Sequence, residues 1–275
     1  MVLRQEIRHM GYPVNFTILD PDDQKSIIRE GFKALDIDSK KHNMNGLLEY
    51  IAGNKVAEFD GEDALSRAYN THEREKALLY GFYLKRQKEL YALDFDDLLL
   101  WTNRLFKMWP EVREKWQKKY QFILVDEFQD IDNVQYELIT LLSTEDTYLY
   151  VVGDPDQTIY TWRGANINII MNFERNFSPC ETIMLERNYR STRTILGAAN
   201  SLIRFNKNRL EKNLFTENDE GSKIVHYKAP SEEDEALFVA RKILDLNLAG
   251  DRFDEFAVLY RSNYLSRVFE KSLVD

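Results

Sequence analysis

Phe122-Ile123-Leu124-Val125-Asp126-Glu127-Phe128-Gln129-Asp130 is the stretch from which the fold can be read. Four apolar residues followed at once by acids suit a strand buried on both faces that ends in a polar loop. Similar runs recur at Tyr148-Leu149-Tyr150-Val151-Val152 and at Thr182-Ile183-Met184-Leu185, with helical patterns over 134–142 and 166–173 between them. Strands alternating with helices predict an α/β fold, a parallel sheet covered on both faces. Ligands of such sheets bind beyond the carboxyl ends of the strands, where Asp126 and Glu127 stand.

Upstream, Val14 to Leu19 reads as a short strand. Asp20 then caps a helix with Pro21 at its first position and Asp22 and Asp23 near its positive end. From there to about Leu90 no strand pattern occurs. Apolar residues recur at helical spacing, and one long helix is expected from Glu62 to Tyr91, turning Tyr69, Leu78, Phe82 and Leu90 toward a core. Residues 21–92 are therefore expected to form an all-helical subdomain. Asp94 caps the next helix, and a charged, exposed helix is expected from Glu111 to Tyr120. Downstream, a helix through Ile195 to Ile203 leads to a basic stretch, Arg204 to Lys212. A strand at Ile224 to Tyr227, a helix at Glu232 to Leu246 and a strand at Phe256 to Leu259 begin a second α/β unit.

Composition removes several classes of protein. The chain has 275 residues with 46 acidic against 37 basic side chains, a net charge of −9. That balance argues against a protein that merely coats DNA, yet leaves room for a local basic groove. With 15 Tyr, 16 Phe and 4 Trp there is enough to build a core, so disorder is excluded. No run approaches the ~20 apolar residues of a membrane helix. The charged N-terminus does not suit a signal peptide, so a cytoplasmic location is expected. Cys180 is the only cysteine, and His9, His42, His72 and His226 are scattered, which argues against a structural zinc site.

Three segments carry chemistry. Asp126-Glu127 at a strand end can hold a hard cation such as Mg²⁺ and orient an attacking water. Alone, the pair fits an acid-capped turn as well; the strand ahead of it favours function. After the next strand comes Gly153-Asp154-Pro155-Asp156-Gln157. Gln157 can sense a phosphate or its water without adding charge, although a plain turn also fits these residues. The run continues Thr158-Ile159-Tyr160-Thr161-Trp162-Arg163-Gly164-Ala165, where two aromatics beside an arginine suit stacking on bases with a phosphate contact nearby. Two core aromatics are the alternative, weakened by the polar residues around them. After the third run, Asn188-Tyr189-Arg190-Ser191 offers a tyrosine for an adenine ring and an arginine for a γ-phosphate.

Together these segments resemble helicase motifs II, III and IV of superfamily 1, of the UvrD/Rep/PcrA type. Leu93-Asp94-Phe95-Asp96-Asp97-Leu98-Leu99 resembles a segment just ahead of motif II, and Ala257-Val258-Leu259-Tyr260-Arg261-Ser262-Asn263 one early in the second motor domain. The resemblance implies P-loop NTPase (RecA-like) motor domains using ATP and Mg²⁺. Asp126, with Glu127, would hold the metal, and Glu127 would activate water. Gln157 would link the γ-phosphate to the DNA site. Tyr189 would stack on adenine and Arg190 would contact the γ-phosphate as a catalytic arginine. Phe95, Tyr160, Trp162, Arg163, Arg261 and Asn263 would line the single-strand path, though for Phe95 a packed helix position fits equally well.

The resemblance further implies 3′-to-5′ translocation on single-stranded DNA, unwinding at junctions with duplex, and no membrane partner. Residues 1–20 and 93–190 would belong to the first motor domain and 191–275 to the start of a second. One element of the family pattern is missing. None of the eleven glycines is followed by lysine, so the phosphate loop Gly-x-x-x-x-Gly-Lys-[Ser/Thr] does not occur. The expectation is an incomplete motor, an internal piece of an ATP-dependent DNA helicase with narrowed sheets and no catalysis of its own. Two alternatives stand beside it. One is a catalytically inactive DNA-binding or interaction module. The other is the helicase part of a RecB/AddA-type recombination nuclease-helicase.

Overall fold

The computed structural model describes residues 1–207 and 209–274, and leaves the Arg163 side chain outside that description. The chain divides into two compact units. One comprises Met1–Met184 with Asn206–Glu211, the other Leu185–Phe205 with Lys212–Asp275.

The first unit begins with α1 (Val2–Glu6) and β1 (Thr17–Leu19). Four helices follow: α2 (Pro21–Ala34), α3 (Met44–Val56), α4 (Gly61–Ser66) and α5 (Thr71–Glu89). Asp20 starts α2 as its sequence suggests, accepting the Asp22 and Asp23 N–H groups at 2.8 Å in a reciprocal capping box. The helices bury Ile28, Phe32, Leu47, Ile51, Leu79, Tyr80 and Tyr83 in a core of their own. The single helix expected from Glu62 to Tyr91 is broken at residues 67–70. There Asn70 caps α5 by accepting the Glu73 N–H, and Tyr69 is left exposed rather than buried. Leu78 and Leu90 are also partly exposed, because the buried stripe of α5 runs through Leu79, Tyr80, Tyr83 and Gln87 and Leu90 lies past its end.

β2 (Ala92–Asp94) pairs with β1 in parallel, Thr17 opposite Ala92 and Leu19 opposite Asp94. It runs directly into α6 (Phe95–Met108), followed by α7 (Pro110–Lys119). α7 is charged but not merely exposed. Its Trp116 is fully buried among Leu3, Ile7, Phe106 and Val112, and the indole N–H donates to the buried Glu6 carboxylate at 3.2 Å.

β3 (Phe122–Val125) and β4 (Tyr148–Val151) form a second parallel pair, with α8 (Asn133–Leu142) between them. Register runs from Phe122 opposite Tyr148 to Val125 opposite Val151. α9 (Ile167–Met171) and α10 (Phe173–Asn176) follow. On one face Val125 and Val151 pack with Tyr136, Ile139, Ile169 and Ile170 around Phe128. The other face corrects the expectation of a sheet covered on both sides. Phe122, Leu124, Tyr148 and Tyr150 are 59–74% exposed, and the Phe122 and Tyr148 rings stack at 4.9 Å. Among the described residues no element packs on that face.

The second unit holds α11 (Arg193–Ile203), α12 (Glu232–Leu248) and α13 (Ser266–Val274). The strands expected at 182–185, 224–227 and 256–259 do not form among the described residues. Their apolar side chains stay open, with Leu185 at 73%, Val225 at 72% and Leu259 at 93% exposure. A strand needs a hydrogen-bonded neighbour, and no ladder partner aligns with these segments beyond an isolated bridge of Arg187 with Phe215. No helix among the described residues is long and apolar enough to cross a membrane.

A buried charge cluster ties the helices to β2 and α6. The Lys55 ammonium lies 2.5 Å from Asp94 and 2.8 Å from Asp97, and also donates to Gln87. Tyr83 donates its hydroxyl to Asp94 and Gln87 donates to Asp97. Burial pushes the Asp97 carboxyl up to about 6 against the opposing pull of Lys55. Burial opposes ionisation of Asp94 as well, but the Lys55 charge and the hydrogen bonds outweigh it and hold Asp94 below the usual carboxylate value. Two carboxylates thus face one ammonium, and Lys55→Met leaves them without a cation. We expect a loss of about 3–5 kcal/mol at about pH 7, as for other buried pairs stripped of one partner. Asp97 stabilises the fold when protonated, an effect lost as pH rises through its raised pKa. The deficit should therefore shrink at about pH 5, where protonation relieves the repulsion. Urea unfolding at both pH values checks this; a pH-independent deficit below about 1 kcal/mol would contradict it.

Candidate functional site

The β3–β4 ladder continues into the loops beyond it. Val152 N–H donates to Val125 O, and Phe128 N–H donates to Val152 O, both at 2.9 Å. Parallel strands end on the same side, so the loops opened by Asp126 and by Gly153 stand next to each other. Asp126 and Glu127 are both exposed. Glu127 has φ +51°, a left-handed conformation that costs a non-glycine residue about 1–2 kcal/mol. Local bonds offset that strain. Asp126 Oδ1 accepts the Glu127 N–H at 2.9 Å, and Glu127 O accepts the Asp130 N–H at 2.9 Å.

In the second loop Asp154 caps a short turn, Pro155–Gln157, by accepting the Asp156 N–H at 3.0 Å. The Gln157 amide is exposed and donates to Asp154 Oδ2 at 2.8 Å. Gln129 lies between the loops and is 1% exposed. Its Nε2 donates to Glu127 Oε2 at 2.7 Å, and its Oε1 accepts the Asp154 N–H at 2.9 Å. Asp126, Glu127 and Gln157 are therefore brought onto one connected surface.

Tyr160 and Trp162 follow on the same chain segment. They are not an extended pair on one strand face, since Thr161–Arg163 makes a 3₁₀ turn. Their rings still sit 6.5 Å apart, with Tyr160 38% and Trp162 64% exposed. Gly164 closes the turn at φ +99°, a conformation that suits glycine. Ala165 N–H then returns to Tyr160 O, and Asn166 N–H donates to Ile131 O, pinning this segment against the first loop. The reading of Arg163 as a DNA contact falls on a side chain outside the described residues. Phe95 opens α6, 58% exposed, directly above the capping box of Asp94 and Asp97.

Tyr189, Arg190, Arg261 and Asn263 belong to the second unit and are all exposed there. Asn188 Oδ1 accepts the Arg190 N–H at 2.9 Å and the Ser191 N–H at 2.7 Å, making a tight turn that holds the Tyr189-Arg190 pair outward. The Arg187 guanidinium lies 4.9 Å from the Tyr189 ring centre, leaving Tyr189 74% exposed. Asn263 starts the turn Asn263–Leu265.

Comparison with known families addresses the whole chain. A model of the UvrD/REP helicase N-terminal domain matches residues 1–178, and one of the UvrD-like helicase C-terminal domain matches residues 183–275. The chain belongs to the UvrD/REP helicase family. The ATP-dependent DNA helicase PcrA of Staphylococcus aureus is 44% identical over 273 residues, and that of Staphylococcus epidermidis 42% identical over 273 residues. Each match covers 99% of this chain and 37% of the relative, so the chain spans little more than a third of the length of these curated relatives. UvrD/REP helicase domains are of the RecA-like class, in keeping with the α/β pairs seen here.

Two features of this family member escaped the sequence reading. Gln129 lies within the acidic motif, but its two-sided bonding depends on the loop beyond β4. His42 and His72, far from any metal-like spacing, stack in parallel at 4.5 Å, with His42 Nε2 2.7 Å from Glu75. With Glu75 the two imidazoles bring three possible ligand atoms within 4.8 Å of one another, a proximity that the scattered histidine positions in the sequence do not reveal.

Gly153 stands where the two loops pack against each other. A Cβ there would stand 2.8 Å from Gln129 Oε1, 2.9 Å from Ile170 Cδ1 and 3.2 Å from Gln129 N. Gly153→Ala should cost about 1–3 kcal/mol through this overlap. Urea unfolding measures it, and a change below about 0.5 kcal/mol would mean that the loops are not packed this tightly.

Proposed function

We propose that the chain carries the hydrolysis and strand-gripping motifs of an ATP-dependent 3′-to-5′ DNA helicase. The observation that supports this most is the junction of the Asp126-Glu127 loop with the Gln157 loop, the latter running on into exposed Tyr160 and Trp162. Exposed carboxylate oxygens at the end of β3 are the hard donors that Mg²⁺ prefers. Asp126, with Glu127, would hold that ion, and bound Mg²⁺ would neutralise charge on the phosphates of ATP. Glu127 orients and deprotonates water. Gln157 reads the phosphate end and passes its state to the aromatic segment. Tyr189 offers its open ring face to adenine, and Arg190 its guanidinium to the γ-phosphate. Phe95, Tyr160, Trp162 and Arg163, with Arg261 and Asn263, hold single-stranded DNA by stacking and phosphate contact, at junctions with duplex.

In this reading residues 1–20 and 93–190 serve the first motor domain, 21–92 form its helical subdomain, and 191–275 serve the second. Turnover needs a phosphate loop as well, whose backbone N–H groups and lysine hold the phosphates. The 275 residues contain no Gly-Lys pair. A second reading, a DNA-binding module that does not itself hydrolyse ATP, is favoured for the isolated chain by that one fact.

Fluorescence anisotropy with a short labelled oligonucleotide tests the DNA role. Binding should be weak and strongly salt-dependent, and Trp162→Ala should weaken it by roughly 1–3 kcal/mol. Equal binding by both proteins would return Trp162 to a purely structural place. In the same preparations ATP with DNA should yield no phosphate above a Glu127→Gln control, and turnover above that control would remove the second reading.

A further inference from the structure

Gln129 is a buried polar side chain shared by the two loops, and its chemistry is dictated from both sides. A carboxylate oxygen of Glu127 can only accept, so the group facing it must donate. The Asp154 N–H can only donate, so the group facing it must accept. A neutral primary amide supplies both in one planar unit and fixes its own orientation in doing so. Leucine would leave two polar groups unpaired, and a glutamate would set like charges 2.7 Å apart. The connection continues, since Asp154 Oδ2 receives the Gln157 amide. A continuous line of hydrogen bonds therefore runs from Glu127 through Gln129 and Asp154 to Gln157.

We propose that Gln129 is a positioning residue that couples the Glu127 carboxylate to the Gln157 side chain, so that a change of charge or place at one is transmitted to the other. The inference rests on the reading of Glu127 and Gln157 as the hydrolysis and sensing groups. It adds the mechanical link between them. The link is stiff for three reasons. Gln129 is buried, Glu127 is held in a left-handed turn, and the Gly153 backbone passes so close that a Cβ there would stand 2.8 Å from the Gln129 Oε1.

The test perturbs one end and reads the other by ¹⁵N NMR of the labelled 275-residue chain. Glu127→Gln should displace the resonances of the Asp154 backbone amide and the Gln157 side-chain amide. In a Gln129→Met background the same substitution should leave Gln157 unmoved within its line width. Gln129→Glu separates the two halves of the bridge. It keeps the acceptor for Asp154, so that amide should stay protected from exchange, but it loses the donor to Glu127 and with it the transmitted shift. In Gln129→Met exchange at Asp154 should quicken roughly threefold to tenfold, the loss of one hydrogen bond.

Equal displacement of Gln157 in native and Gln129→Met backgrounds would overturn the proposal. Should the methionine variant not fold, the scalar coupling across the hydrogen bond between the Asp154 nitrogen and the Gln129 side-chain carbonyl carbon decides in the unsubstituted chain. Its presence supports the bridge and its absence overturns it. No nucleotide or DNA enters these measurements. A transmitted shift in a chain that fails to bind DNA would sink the functional reading and leave the bridge standing.

Discussion

The parallel ladder of four residue pairs between β3 and β4 is the constraint on which the rest of the site depends. Parallel pairing puts both carboxyl ends on one side, and the register decides which residues meet there. With Val125 opposite Val151, the loops start level, and the next backbone bonds already belong to them. A slip of β3 by one residue would turn Val125 out of the core formed with Phe128 and Ile169, and turn Leu124 in. The packing of one sheet face thus fixes the place of Asp126, Glu127 and Gly153 without any bond aimed at those residues.

Holding two acidic loops this close raises an electrostatic difficulty. Asp126, Glu127, Asp130, Asp154 and Asp156 all lie within a few residues of the contact. The structure eases it with two neutral bridges and with a cation, the Arg209 guanidinium 3.1 Å from Asp156. Gln129 bridges the loops with an amide, and Gln157 closes on Asp154 with another. Elsewhere in the same unit a cation takes the central place that Gln129 has here. At Asp94 and Asp97 a buried lysine supplies the opposing charge, and the result is a fixed anchor beneath Phe95. The contrast fits the two locations. A charge that neutralised Glu127 from within would compete with any cation arriving from solvent, whereas the Lys55 cluster is sealed from it.

Much of this was legible in the chain alone, and the remainder was hidden for identifiable reasons. β3, β4 and helices α2, α6, α8, α11 and α12 follow from apolar runs and caps that act locally, such as Asp20 and Asp94. Those elements carry Asp126, Glu127, Gln157 and the aromatic pair, so the places of these candidate residues in the first unit could be read as well. The failures are tertiary. The runs at 182–185, 224–227 and 256–259 have strand composition, but strand formation depends on a partner that composition does not supply. The bare face bearing Phe122, Leu124, Tyr148 and Tyr150 has the same origin, since an apolar residue does not specify what covers it. The break at residues 67–70 turns on one capping asparagine, Asn70, which the helical periodicity on either side concealed. Gln129 carried no signal beyond its place in an acidic motif, because its two partners come from different loops.

In the proposed function the Asp126-Glu127 loop and the Gln157 loop form a single cation-responsive surface. Manganese, a paramagnetic stand-in for Mg²⁺, tests it most directly. Added to the ¹⁵N-labelled chain, it should broaden the amide resonances of residues 126–129 and 153–157 first and together, ahead of the acidic helix starts at Asp22-Asp23 and Glu232-Glu233. Broadening spread evenly over those acidic surfaces, or confined to one loop while the other stays sharp, would contradict the account.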